Sequence, residues 1–166
     1  NAYNAYQSLI RGGHTFLTIR VSDRPVKSIN TKYDVFIPLN QDTMDRHIGL
    51  MKAGSTVLFD AGSIEPGTAS EGVQFCPLPM KELTAGNKLG GNTVAVAVTL
   101  QLLGIEFQSL EDTLALQFKR KGGKVIAQNV AIAKAGYKYS AENFTPFSFK
   151  VPDLGKRMAL MTGNDA

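Results

Sequence analysis

Arg11-Gly12-Gly13-His14 is the first group of residues whose types and spacing could do chemistry. A guanidinium is a planar fork of donors that suits a carboxylate or phosphate. Adjacent glycines take backbone angles closed to other residues and let a ligand or a neighbouring chain approach the main chain. The imidazole adds a group whose charge changes near neutral pH. A second glycine-rich elbow, Lys88-Leu89-Gly90-Gly91-Asn92-Thr93, precedes a long apolar run. Asn92 or Thr93 would cap the helix that follows, and exposed amides at such a start attract an anion. This elbow is neither a G-x-G-x-x-G fingerprint nor a P-loop, because no Gly-Lys-Ser/Thr follows it. Asn40 closes an apolar run and would stand at the carboxyl end of a parallel strand, the end where open α/β sheets place ligands. Each group has a structural alternative. Arg11 and the glycines could only shape a turn and brace a loop, Asn40 could cap a helix, and Gly90-Gly91 could be a tight packing turn.

The elements that must position these residues are readable in chain order. Residues 1–6 have the look of a strand's tail. After the first elbow, Thr15, Leu17, Ile19 and Val21 alternate with His14, Phe16, Thr18, Arg20 and Ser22, the period of a half-buried strand. Asp23-Arg24-Pro25 closes it with turn chemistry, and residues 26–29 are expected to return as its hairpin partner. Val35, Phe36, Ile37 and Leu39 form a nearly continuous apolar run, as in a parallel strand buried on both faces. A helix is expected next, with Asp42 as N-cap, Met44, Ile48 and Met51 at helical spacing and Gly54 at its end. Residues 55–60 are the following strand, giving a β-α-β unit with a right-handed crossover. Residues 73–79 are a further strand closed by prolines, with Cys76 a buried, inert thiol.

Residues 94–103 alternate like a strand, yet their uninterrupted length and the following Gly104 favour a helix. Ser109-Leu110-Glu111-Asp112 matches a capping box, with Leu110, Leu114 and Phe118 on one face of the next helix. Lys119-Arg120-Lys121-Gly122-Gly123-Lys124 is a basic turn. A third helix, with Val125, Ile126, Val130 and Ala133 inward, is expected to end at Gly136. Leu50, Leu58, Leu102, Leu114 and Val130 are the expected core. The fold class is α/β: a layered domain with a mostly parallel central sheet, an additional antiparallel hairpin region, and helices on one side.

At 166 residues the chain is one domain, or one domain with tails, and its apolar fraction of 43% is that of a folded protein. A net charge of +4, with no dense basic block, permits anionic ligands without arguing for nucleic acid. The single cysteine, Cys76, supplies neither a disulfide framework nor a cluster for iron–sulfur or zinc, and fits a reducing cytoplasm. No apolar run reaches membrane-spanning length, and no signal-type leader is present. The first residue is Asn1 rather than methionine, which suggests a piece of something longer.

Ser8-Leu9-Ile10-Arg11-Gly12-Gly13-His14 closely resembles a segment of the gamma domain of 2-oxoacid:ferredoxin oxidoreductases, which oxidise pyruvate, 2-oxoglutarate and related acids to acyl-CoA. The resemblance extends to the Val-Ser-Asp-Arg-Pro turn, residues 34–40, the strand ending at Asp60, Gly90-Gly91-Asn92 and Ala135-Gly136-Tyr137. Met161-Thr162-Gly163-Asn164-Asp165-Ala166 resembles the opening of the alpha, pyrimidine-binding region where gamma and alpha are fused. The resemblance therefore implies a gamma domain over residues 1–138, an extended linker arm over 139–157 and the start of an alpha domain over 158–166. One departure is the strand and Gly-Gly-x-Gly turn with which gamma domains begin, absent from this sequence.

In the enzymes it resembles, thiamine diphosphate with magnesium carries the decarboxylation, an iron–sulfur cluster passes electrons to ferredoxin, and CoA takes the acyl group. None of these is expected to be bound by this chain alone. The implied partners are the alpha and beta portions of the complex, with ferredoxin as its electron acceptor; the implied location is the cytoplasm. Arg11, Gly12, Gly13, His14, Asn40, Gly90, Gly91 and Asn92 become candidates for facing substrate or CoA. The implied role is docking and helping to close the active site. A stand-alone nucleotide or acyl-CoA binding module and a purely structural assembly domain are the competing readings.

Overall fold

A ten-residue strand, β4 (Met51–Asp60), is the middle of the molecule. It pairs in parallel with β3 (Tyr33–Phe36) on one side and β5 (Gln74–Leu78) on the other, giving a three-stranded sheet in the order β3-β4-β5. The computed structural model describes residues 2–6, 14–22, 28 and 31–147, the first group by backbone alone. The Arg11-Gly12-Gly13 elbow, the turn at 23–25, nearly all of the strand expected over 26–29 and everything after residue 147 lie outside the described residues.

Both faces of β4 are covered. Val57 and Phe59 enter a cluster with Phe36, Met44, Ile48, Met51 and Ile64, whereas Leu58 enters a second with Cys76, Leu78, Val94, Val98, Leu102 and Ile132. Neighbours along a strand point to opposite faces, so these clusters define two helical layers with the sheet between them. Helix α1 (Gln41–His47) supplies the first layer; α3 (Gly91–Leu102) and α5 (Gly123–Asn143) supply the second. Helices on one side only, as the sequence suggested, would have left an apolar face of β4 wet. A short α2 (Met80–Leu83) follows β5, and α4 (Phe107–Gln117) packs on α3 and α5 through Leu110, Leu114, Ala97 and Ala133. Of the expected core, Leu58, Leu102 and Leu114 are buried, while Leu50 and Val130 are half-buried at its margin.

The antiparallel region is a separate two-stranded sheet of β1 (Ala2–Tyr6) and β2 (Thr15–Ile19). Among the described residues β2 pairs with the strand before it in the chain.

Four local expectations fail for identifiable reasons. Helix α1 is capped by Asn40, two residues ahead of the expected Asp42, and ends at His47 with a 3-10 turn over Ile48–Leu50. Gly54 does not end a helix; it has φ +81° inside β4 and donates its N–H to the Gly72 carbonyl. It belongs to a bulge: Tyr33 lies opposite Met51 but Val35 lies opposite Thr56. The buried Ser55 hydroxyl fills the gap, donating to the Tyr33 carbonyl at 2.6 Å and accepting from the Lys52 N–H. The proposed capping box is not used. Helix α4 starts at Phe107, where the ring meets Tyr137 at 5.4 Å, so Ser109 already lies inside the helix.

Gly136 sits mid-helix rather than at an end, and α5 runs on through Tyr139 to Asn143, into the stretch read as an extended arm. A Cβ on Gly136 would lie 3.2–3.3 Å from the Val94 side chain, Cα and carbonyl oxygen. With the fully buried Ala97 and Ala133 nearby, absence of side-chain bulk is what lets α3 and α5 approach. Gly136→Val should therefore lower stability by about 1–3 kcal/mol through overpacking against backbone. A denaturant midpoint equal to wild type would show that the helices do not depend on this close approach.

Candidate functional site

The candidate residues separate into two groups on two layers. Asn40 and His14 both lie against α1, on the first layer, Asn40 as its N-cap and His14 beside Asp42 and His47. The Asn40 side-chain oxygen accepts from the Thr43 N–H and the Thr43 hydroxyl, both at 2.8 Å. These bonds occupy Asn40 as a cap, satisfying donors that every helix start leaves open. Gln41 then ties the helix start to the loop after β4: its amide oxygen accepts from the Glu65 N–H at 2.8 Å and its nitrogen donates to the Glu65 carbonyl at 3.1 Å. At the carboxyl end of β4, Asp60 accepts from the Gly62 N–H and the Ser63 hydroxyl, holding that loop in a tight turn. The carboxyl edge of the sheet is thus a hydrogen-bonded rim built from Asn40, Gln41, Asp60 and residues 62–65.

Gly90, Gly91 and Asn92 belong to the second layer. A 3-10 turn over Lys88–Gly90, capped by the Asn87 side chain, runs directly into α3, so the helix starts at Gly91 and neither Asn92 nor Thr93 caps it. Gly90 is buried, and a Cβ there would lie 2.9 Å from Ile132 Cδ1 and 3.2 Å from Thr84 Cγ2. Gly90 therefore serves close packing. Gly91 and the exposed Asn92 have open space or solvent beside them. Thr93 donates instead to Asn129, tying α3 to α5.

The feature the sequence did not reveal is the union of the chain's only two histidines. His14 Nε2 and His47 Nε2 are 2.8 Å apart, the rings stack at 5.0 Å, and His14 Nδ1 lies 3.3 Å from an Asp42 carboxylate oxygen. Asp42 also holds Arg46 at 2.8 Å. Phe16 meets the edge of His47 at 4.9 Å and Phe36 at 6.1 Å. The cluster fastens the β1–β2 hairpin to α1. One ring nitrogen must donate and the other accept, so the bond requires at least one neutral imidazole. Burial first, then the charges of His14 and Arg46, hold His47 below its usual value of 6.5, against the opposite pull of Asp42. The pairing spans 33 residues and follows no local periodicity; the only local signal was the Asp42–Arg46 spacing on one helix face.

Cys76 is buried in β5, and burial pushes its thiol up to about 11. Among the described residues no three His, Cys, Asp or Glu side chains gather to hold a metal ion, and no helix is long and apolar enough to cross a membrane.

Comparison with known proteins gives a consistent result. Residues 1–139 match the family model described as pyruvate ferredoxin/flavodoxin oxidoreductase. The chain is 24% identical to 2-oxoacid:ferredoxin oxidoreductase 2, subunit alpha, of Aeropyrum pernix, over 96% of this chain and 32% of that one. It is 27% identical to ketoisovalerate oxidoreductase subunit VorA of Methanothermobacter marburgensis, over 85% of this chain and 30% of that one. The chain thus spans about a third of the length of these curated relatives. Among solved structures, it superposes on the 2-oxoglutarate:ferredoxin oxidoreductase of Magnetococcus marinus with 2-oxoglutarate, coenzyme A and succinyl-CoA bound, with a TM-score of 0.79 and 25% identity. That match covers 92% of this chain and 27% of the other. The gamma subunit of a keto/oxoacid ferredoxin oxidoreductase from Geobacter sulfurreducens shares the fold, with a TM-score of 0.64 at 17% identity over 85% of this chain and 79% of that subunit.

The lowered His47 value gives a signed prediction. On acidification the unfolded chain takes up its proton at the ordinary value and the folded chain only at lower pH. The contribution is therefore complete above 6.5 and is lost as pH falls from there through the folded value. Between about pH 7.5 and about pH 5 the wild type should lose more stability than His47→Gln, measured by urea unfolding. Equal losses in the two proteins would contradict the assignment.

Proposed function

Because the chain belongs to the pyruvate ferredoxin/flavodoxin oxidoreductase family, we propose that it is the gamma-domain part of a 2-oxoacid:ferredoxin oxidoreductase. In this reading it supports CoA-dependent oxidative decarboxylation of a 2-oxoacid to acyl-CoA by docking onto the complex and helping to close its active site. The observation that carries the proposal is the likeness to the Magnetococcus marinus enzyme, which covers 92% of this chain and whose structure holds 2-oxoglutarate, coenzyme A and succinyl-CoA. The division into a gamma domain, an arm within 139–157 that begins after α5 ends at Asn143, and the start of an alpha region over 158–166 belongs to the same proposal, as does a cytoplasmic location.

The chemistry of the chain bears on how labour is divided in such a complex. An iron–sulfur cluster takes cysteine thiolates, typically four. One cysteine, buried and with its proton held up to about 11, does not fit that role. The proposal assigns thiamine diphosphate, magnesium and the cluster to the alpha and beta portions, with ferredoxin as the acceptor of the whole complex. CoA is different, because an anionic ligand needs positive charge and backbone donors rather than a metal cage. Arg11 with the Gly12 and Gly13 backbone is the proposed contact to CoA or substrate. Asn92 and Gly91, beside solvent at the start of α3, are the next candidates. Asn40 and His14 are already engaged, as a cap and in the imidazole pair, so their proposed part is to hold the rim and the hairpin in position.

The test is Arg11→Ala in the complete oxidoreductase. Loss of one charge-assisted contact, about 1.5–3 kcal/mol, corresponds to a rise in the KM for CoA of roughly tenfold or more. An unchanged rate at every CoA concentration would remove Arg11 from the ligand site.

A further inference from the structure

Strand β2 is inside-out relative to its sequence. Its half-polar face, His14, Phe16 and Thr18, turns toward the body and is half-buried, while Leu17, Ile19 and Val21 on the opposite face are 59%, 66% and 64% exposed. Alternation of this regularity specifies a face to be covered, because a slip of one residue would exchange the two sets. The inward set is fixed by the His14–His47 bond and the Phe16–His47 contact, so the apolar set cannot turn in without breaking them. The outward face carries Thr15 and three aliphatic side chains and no charge, which suits an apolar protein surface and not a phosphorylated cofactor. Three side chains are few against the roughly 800 Å² that each partner buries in a standard interface, so they would form the centre of a larger contact. The relatives have more than two thirds of their own length outside the part this chain matches, since coverage is 32% and 30%. A protein surface of that size is enough to supply the cover.

We infer that the Leu17–Ile19–Val21 face of β2 is a docking surface for an apolar patch on the non-gamma portion of the oxidoreductase assembly. The inference rests on the functional reading above and names the face through which this domain is held.

Cysteine labelling tests it. The chain's own thiol, Cys76, is 1% exposed, so a thiol introduced at the surface can be followed against a quiet background. Ile19→Cys would be prepared in the assembled oxidoreductase and in the 166-residue chain alone. Leu116→Cys, on α4 and 74% exposed in the wild type, serves as control. The docking surface requires the Ile19→Cys thiol to react with a maleimide at least roughly tenfold more slowly in the assembly than in the chain alone, while the control reacts equally in both. Equal rates for Ile19→Cys, in an assembly that retains CoA-dependent turnover, overturn the docking surface and leave the functional reading standing. Slow labelling of the chain alone also overturns it: at every concentration it assigns the cover to another segment of this chain, and only at high concentration to a second copy. Absence of CoA-dependent turnover in the unsubstituted assembly refutes the functional reading, and with it the partner named here.

Discussion

The burial of β4 on both faces is the constraint from which the rest of the architecture follows. Val57 and Phe59 require an apolar layer on one side, and Leu58 requires one on the other. A single short helix, α1, satisfies the first through Met44 and, with the turn after it, Ile48. The second needs two helices packed closely enough to act as one surface, and Gly136, Ala133 and Ala97 provide that closeness. Parallel strands covered on both faces leave their carboxyl edge as the open end of the layers. The caps and turns at Asn40, Gln41 and Asp60 make that edge a fixed rim rather than a set of loose ends.

The hairpin stands apart from this core and is fastened to it by side-chain chemistry. Its sheet is separate from the central one, and its join to α1 includes His14 and Phe16 packed on His47, with the Asp42 carboxylate beside His14. Such a join is sensitive to charge. Protonating both rings removes the acceptor that the bond needs and places two positive charges at hydrogen-bond distance, with Arg46 also nearby and Asp42 opposing them. The same join determines which face of β2 looks outward, and so links the protonation state of α1's last residue to the presentation of Leu17, Ile19 and Val21.

Much of this was legible in the sequence because it depended on local pattern. The apolar run at 35–39 and the strand at 55–60 announced a parallel pair, although β3 ends at Phe36 and Leu39 is exposed; residues 73–79 announced a further strand, and the unbroken length of 94–103 outweighed its strand-like alternation. What was not legible depended on contacts between distant residues. Gly54 and Gly136 both resembled helix ends. One instead makes a bulge whose gap Ser55 fills, and the other makes room for Val94 on a helix 42 residues earlier in the chain. The Ser109 capping signal was overridden by the packing of Phe107 on Tyr137, and the helix starts three residues sooner. Among the candidate site residues, types were readable but engagements were not. Asn40 and Gly90 proved to be committed to a cap and to packing, and His14 to a partner that no spacing rule connects to it.

The central claim is that this domain works inside a CoA-dependent oxidoreductase, and the most direct measurement is 2-oxoacid-dependent reduction of ferredoxin by the assembled enzyme, with and without residues 1–139. The account predicts that the intact assembly turns over only when CoA is supplied and that removal of the domain abolishes this turnover. Full CoA-dependent turnover by an assembly lacking residues 1–139 would contradict it.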